Sequence, residues 1–163
     1  MKILSANQLK EVDKITTEIQ NISSLELMER AAGACADWIL KNYSNKKVFY
    51  VFCGPGNNGG DGLVIARILK SRLYSVTVFI TSNIAYSDDF EQNFELWQRI
   101  SGNTISINNE SEFPNLNLEN IIIIDALFGS GINRPIKGLA AELIHHINGA
   151  KKEVISIDIP SGL

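Results

Sequence analysis

The stretch that decides the fold is Val48-Phe49-Tyr50-Val51-Phe52-Cys53-Gly54-Pro55-Gly56-Asn57-Asn58-Gly59-Gly60-Asp61-Gly62. Its first six residues form a continuous apolar run, the pattern of a strand buried on both faces. A glycine-rich loop follows. From Asp61 to Leu73 the residues Leu63, Ile65, Ala66, Ile68 and Leu69 then recur at helical spacing. A buried strand, a glycine loop and a helix in this order begin a parallel α/β unit.

The same alternation continues downstream. Strands are expected at Val76–Thr81, Thr104–Ile107, Ile121–Ile124 and Glu153–Ile157. Helices are expected from Asp88 to about Ile100, with Phe90, Phe94 and Trp97 inward, and over Gly138–Ile147. Upstream, Ser5 with Gln8 and Ser23 with Glu26 read as two capping boxes. Leu9, Val12, Ile15 and Ile19 line the first helix. Leu27, Met28, Ala31, Ala32, Cys35 and Ile39 line the second. Both read as packing helices or an oligomer contact. The expected architecture is a Rossmann-like three-layer α/β/α fold with a mostly parallel central sheet, preceded by two N-terminal helices.

Composition sets the outer bounds. The chain has 163 residues, 45% hydrophobic and 20% charged, with a net charge of −3. That suits one domain with a core large enough to need no disulfide or metal staple. An acidic balance (pI about 5.4) argues against a general nucleic-acid or anionic-membrane binder. The longest apolar runs are too short to span a bilayer, and the first residues carry no secretory apolar region. Cys35 and Cys53 are too far apart for a CxxC motif and are expected to be buried thiols in a reducing cytoplasm.

In open parallel sheets, ligands bind outside the carboxyl ends of the strands, where the strand order reverses. Three polar loops occupy such ends: Gly54–Gly62, Asp125-Ala126-Leu127-Phe128-Gly129-Ser130-Gly131, and Asp158-Ile159-Pro160-Ser161-Gly162. With a strand order of 3-2-1-4-5, Asn58 and Asp125 would face one another, with Asp158 one strand further on.

Gly54, Gly56 and Gly59 satisfy GxGxxG, yet an NAD site also wants an acidic residue about 20 residues on. Here the second strand runs out at Ile80-Thr81-Ser82-Asn83, and no carboxylate comes before Asp88. The phosphate-loop pattern fails as well, because Gly60 and Asp61 stand where Lys and Ser/Thr belong. What remains is a loop whose amides can cradle an anion while Asn57, Asn58 and Asp61 add side-chain oxygens. The plainer reading is a tight turn that only starts the helix.

Asp125 follows four isoleucines, where an unpaired charge is costly, so it calls for a cation or a network of donors. Asn58, Asp125 and Ser161 offer the oxygens a hard cation takes; alternatively Asp125 accepts N–H bonds from its own turn. Asp158 lies beside the open crevice and is the candidate for acid–base work, against a simple Asx-type turn. The segment Gly129-Ser130-Gly131-Ile132-Asn133-Arg134-Pro135 could wrap a phosphate, with Arg134 as its positive charge, or be a solvated turn. His145 and His146 sit in the last helix, away from the strand ends, and supply no triad.

Taken together, the three loops resemble the YjeF N-terminal-domain family, the NAD(P)H-hydrate epimerases. The likeness runs from the opening helices to Leu163, in order and spacing. The resemblance implies an isomerase that interconverts the R and S forms of NADHX and NADPHX, the C6-hydrated nicotinamide dinucleotides. It implies that Asn57, Asn58, Gly59, Gly60, Asp61, Gly129, Ser130, Gly131, Ile132, Asn133, Arg134, Pro135 and Asp158 bind substrate. It also implies one potassium ion per subunit, held by Asn58, Asp125 and Ser161. Asp158 is expected to be catalytic, protonating the departing hydroxyl or activating the returning water. A homodimer and a separate or fused dehydratase domain are the expected partners. The family domain continues past Pro160-Ser161-Gly162, so residues 1–163 are expected to be a C-terminally truncated domain. The competing reading is a non-catalytic nucleotide- or partner-binding module; an ordinary NAD-dependent oxidoreductase is disfavoured by the missing carboxylate after Thr81.

Overall fold

The computed structural model describes residues 4–81, 85–132 and 135–162. Two helices lead. Helix α1 (Ala6–Gln20) starts at Ser5, whose hydroxyl accepts from Gln8 N–H while Gln8 Oε1 accepts from Ser5 N–H at 2.9 Å. Helix α2 (Ser24–Asn42) repeats the device with Ser23 and Glu26. Each reciprocal pair satisfies helix-start amides that would otherwise lack partners.

The α/β units follow: β1 (Val48–Cys53), α3 (Asn57–Ser71), β2 (Ser75–Thr81), α4 (Asp88–Arg99), β3 (Asn103–Ile107), a short 3₁₀ turn (Glu110–Glu112), β4 (Ile121–Ala126), α5 (Leu139–Gly149) and β5 (Glu153–Ser156). The five described strands form one sheet in the order β3-β2-β1-β4-β5, and every adjacent pair is parallel. The order reverses between β1 and β4, where Phe52 lies opposite Asp125 and Cys53 opposite Ala126.

Alternation along β1 builds the three layers. Phe49, Val51 and Cys53 face α2, α3 and α4 together with Val76, Val78, Ile122 and Ile124. Tyr50 and Phe52 face the other way, toward Leu143, Ile144 and Ile147 of α5. Both faces are covered, which is why these strands read as apolar runs without alternation.

Three expectations need correction. The second helix buries Met28, Ala32, Ala36 and Ile39, so Cys35 lies outward and is exposed; only Cys53 is a buried thiol. Small residues Ala32 and Ala36 are the ones that let α2 approach α3. The first helix leaves Leu9, Val12, Ile15 and Ile19 all exposed, so its apolar stripe is not a core face. Helix α3 begins at Asn57, four residues before the expected Asp61, because Gly59, Gly60 and Gly62 are helical residues, packed on Gly54, on Met28 of α2 and on Cys53 and Ala126 at the ends of the central strands β1 and β4. The other element boundaries lie within about two residues of those expected, as fraying ends allow.

Candidate active site

The site lies outside the carboxyl ends of β1, β4 and β5. Gly54 N–H donates to Ala126 O at 3.0 Å, and a Cβ on Gly54 would stand 1.7 Å from Leu127 O. Only glycine lets the two strand ends close in this way. A Cβ on Gly59 would stand 1.9 Å from Gly54 O, so the first turn of α3 sits directly on the loop that feeds it. The glycines are therefore there for packing as much as for turning the chain.

Below the mouth, Asp125 is 6% exposed and collects four donors. Its Oδ1 accepts from Ser161 Oγ–H at 2.6 Å and Leu127 N–H at 3.2 Å. Its Oδ2 accepts from Ser161 N–H at 2.8 Å and Ser156 Oγ–H at 3.3 Å. Ser161 Oγ in turn accepts from Phe128 N–H at 3.0 Å. Asp125 thus draws on β5 and the loop after it as well as on its own turn, and cross-ties the β4 and β5 loops. All four donors are neutral, and no cationic side chain pairs with Asp125 among the described residues. Nearby, Asn58 has both side-chain polar atoms buried and without a hydrogen-bond partner. An orphaned amide of this kind is costly unless something fills its valences. Carboxylate, amide and hydroxyl oxygens are the donor set of a hard cation, so the three residues fit one. Among the described residues no group of three His, Cys, Asp or Glu side chains gathers.

Above them a cavity of about 680 Å³ is lined by Asn57, Asn58 and Asp61 of α3, by Gly129, Ser130, Gly131 and Ile132 after β4, and by Asp158 after β5. Asp158 has φ +66°, and its Oδ2 accepts from Ser130 N–H at 2.6 Å. Its carboxylate therefore serves another loop and not its own turn. A Cβ on Gly129 would stand 2.5 Å from that same oxygen, so glycine is required for the approach.

Asp61 has no hydrogen-bond or ion-pair partner among the described residues. Burial, then the negative charges of Asp158, Asp89 and Asp13, push its carboxyl up to about 7.

Not every expected residue lines this cavity. Gly59 and Gly60 are buried against Gly54 and Met28, so their role here is to let the helix close on its neighbours. Pro135 lines a second cavity of about 640 Å³ on the far side of the Leu127–Ile132 loop, with Gly54, Thr81, Ile136 and Lys137. Ser161 borders a third, of about 440 Å³, where His145 also reaches. His145 is thus nearer the strand ends than the sequence implies, while His146 Nε2 lies 2.8 Å from Pro114 O. Asn133 and Arg134 lie outside the described residues. One contribution was missed: α1 walls the main cavity with Leu9, Lys10 and Asp13. No spacing signal marks those polar positions on α1; only the packing reveals which way they face.

Fold and site together define a Rossmann-like α/β domain with a carboxylate-lined cavity at its topological switch point. Residues 24–163 match the family described as YjeF-related protein N-terminus, and the chain belongs to that family. It is 38% identical to the NAD(P)H-hydrate epimerase of Limosilactobacillus fermentum over 98% of this chain and 74% of that protein. It is 32% identical to the bifunctional NAD(P)H-hydrate repair enzyme Nnr of Moorella thermoacetica, spanning all of this chain but 32% of that one. The crystal structure of yeast ynu0 (YNL200c) superposes with a TM-score of 0.80 at 26% identity, over 99% of this chain and 72% of that one.

Proposed function

We propose that this protein is an isomerase that interconverts the R and S epimers of hydrated NADH and NADPH. The observation that carries the reading is the cavity of about 680 Å³ at the switch point. Asp158, Asp61 and Asn58 enter it from two different elements, in a member of a family whose relatives bear the name NAD(P)H-hydrate epimerase. Main-chain amides of Gly129 and Gly131 and those at the start of α3 supply donors for the dinucleotide's phosphates, as helix starts and glycine turns do. Asn133, Arg134 and Pro135 belong to the proposed binding set, together with Gly59 and Gly60 as shapers of the loop.

The reaction needs a hydroxyl to leave C6 of the reduced ring and a water to return on the other face. The ring nitrogen's lone pair assists the departure. Asp158, oriented by Ser130 N–H at 2.6 Å, is placed to exchange a proton with that oxygen. The cavity walls hold the ring so that departure and return happen at one position. A potassium ion, when bound, would supply positive charge beside the dinucleotide. Asn58, Asp125 and Ser161 would hold it, and the orphaned Asn58 amide and the buried Asp125 carboxylate support that assignment.

We further place the protein in the cytoplasm as a homodimer working beside a dehydratase specific for one epimer, carried separately or fused. The exposed apolar stripe of Leu9, Val12, Ile15 and Ile19 on α1 supports a second copy as partner. Among the described residues no helix is long and apolar enough to cross a membrane. The mechanism is tested with Asp158→Ala. The variant should bind NADP(H) with near-native affinity and lose epimerisation by about 100-fold or more. An unchanged rate would remove Asp158 from the chemistry.

A further inference from the structure

Moving a hydroxyl from one face of a ring carbon to the other asks for a proton donor on the face it leaves and an acceptor on the face where water arrives. One carboxyl in one state does only half of this. The cavity holds two, and their surroundings differ. Asp158 comes from the loop after β5 with Oδ2 held by Ser130 N–H at 2.6 Å. Asp61 comes from the second turn of α3, lines the same cavity, and has no donor among the described residues to hold it ionised.

We propose that Asp61 is a second catalytic residue, the proton-carrying partner of Asp158, so that the two act as acid and base on opposite faces of the hydrated ring. The assignment rests on the epimerase reading above. In one direction the C6–O bond breaks and the Asp61 proton leaves with the oxygen as water, while the nitrogen lone pair closes an N1–C6 double bond. A solvent water then attacks C6 from the other face, its proton goes to Asp158, and the electron pair returns to nitrogen. One turnover moves one proton from Asp61 to Asp158 and one solvent oxygen into the product. The reverse epimerisation begins from the exchanged state, and solvent protons reset the pair.

The charges around Asp61 fit the role. Helix α1 presents Asp13, Lys10 and Lys14, α4 presents Asp89, and the β5 loop presents Asp158; α2 adds Cys35, whose thiol is raised by partial loss of solvent and then by Asp61. Burial, and then the carboxylates of Asp158, Asp89 and Asp13, keep the Asp61 proton toward neutral pH, at about 7.

The test is the pH dependence of kcat and kcat/KM for R-to-S conversion of hydrated NADH in the wild type, Asp61→Asn, Asp61→Glu and Asp89→Asn. The wild type should lose activity above about pH 7 as Asp61 gives up its proton. Asp61→Asn should lower kcat by about 100-fold or more with KM held within about threefold. Asp61→Glu should recover part of the rate together with the alkaline limb. Asp89→Asn removes one neighbouring negative charge, so its limb should move to lower pH with the plateau retained. If Asp61→Asn keeps the wild-type limb, or changes only KM, Asp61 is not an acid and the pairing is overturned. A wild type that interconverts nothing overturns the functional reading itself, a result separate from a failure confined to Asp61→Asn.

Discussion

Asp61 also makes a thermodynamic prediction that needs no substrate. Its carboxyl is raised from 3.8 to about 7 in the folded protein, chiefly by burial. The folded state therefore binds this proton more tightly than the unfolded chain does. Its stabilising contribution is complete below the unfolded value and is lost as pH rises through the folded one. A rise of about three pH units corresponds to about 4 kcal/mol at about 1.36 kcal/mol per unit. Asp61 borders a cavity open to water, so screening reduces this to an expected ~2 kcal/mol. Replacing Asp61 with Asn removes the titration while keeping the shape. At about pH 4.5 the variant and the wild type should unfold in urea with nearly equal free energies; at about pH 8 the variant should be the more stable by ~2 kcal/mol. In thermal melts that corresponds to about 4–8 °C for a chain of this length. A variant that is equally or less stable than the wild type at the higher pH would refute the claim that Asp61 is held in an unfavourable ionised state there.

Other predictions follow from the loops around it. Gly129→Ala places a methyl 2.5 Å from Asp158 Oδ2, forcing the carboxylate off the Ser130 amide. Because that side chain can swing away, stability should change by only about 1 kcal/mol while kcat falls about 10–100-fold, separable by thermal melts and steady-state rates. Asp125→Asn turns a four-fold acceptor into an amide facing N–H and O–H donors, and should cost about 2–4 kcal/mol in urea unfolding. Exchanging potassium for choline should lower the melting temperature of the wild type and leave Asp125→Asn unmoved; an identical wild-type melt in both salts would remove the cation from the site.

The fold was legible because β1, β2 and β4 are buried on both faces, so their apolar runs and the intervening helical periods needed no tertiary information to be recognised. Ile121–Ile124 is the clearest case: four consecutive isoleucines, all buried. The site loops were legible for a related reason, since Gly54 and Asp125 each sit at the end of such a run and Asp158 lies two residues past β5. What the pattern does not carry is rotation and depth. Cys35 shares the periodicity of the α2 apolar residues, yet the small Ala36 is what faces α3, because close helix packing prefers it. Gly59 and Gly60 look like loop glycines and are instead buried helical residues against Gly54 and Met28. Asp61 reads as one of several polar residues at a helix start. Its raised carboxyl arises first from burial and then from Asp158, Asp89 and Asp13, which only the folded chain brings near. The wall that α1 contributes to the cavity is invisible for the same reason.

The central claim is that this cavity moves a hydroxyl between the two faces of a hydrated nicotinamide ring. The most direct measurement is to incubate chromatographically purified (R)-NADH hydrate with the protein in potassium buffer and follow the (S) form over time. The (S) form should appear far faster than in buffer alone and in proportion to protein added. Appearance of (S) at the spontaneous rate, at every protein concentration, would contradict it.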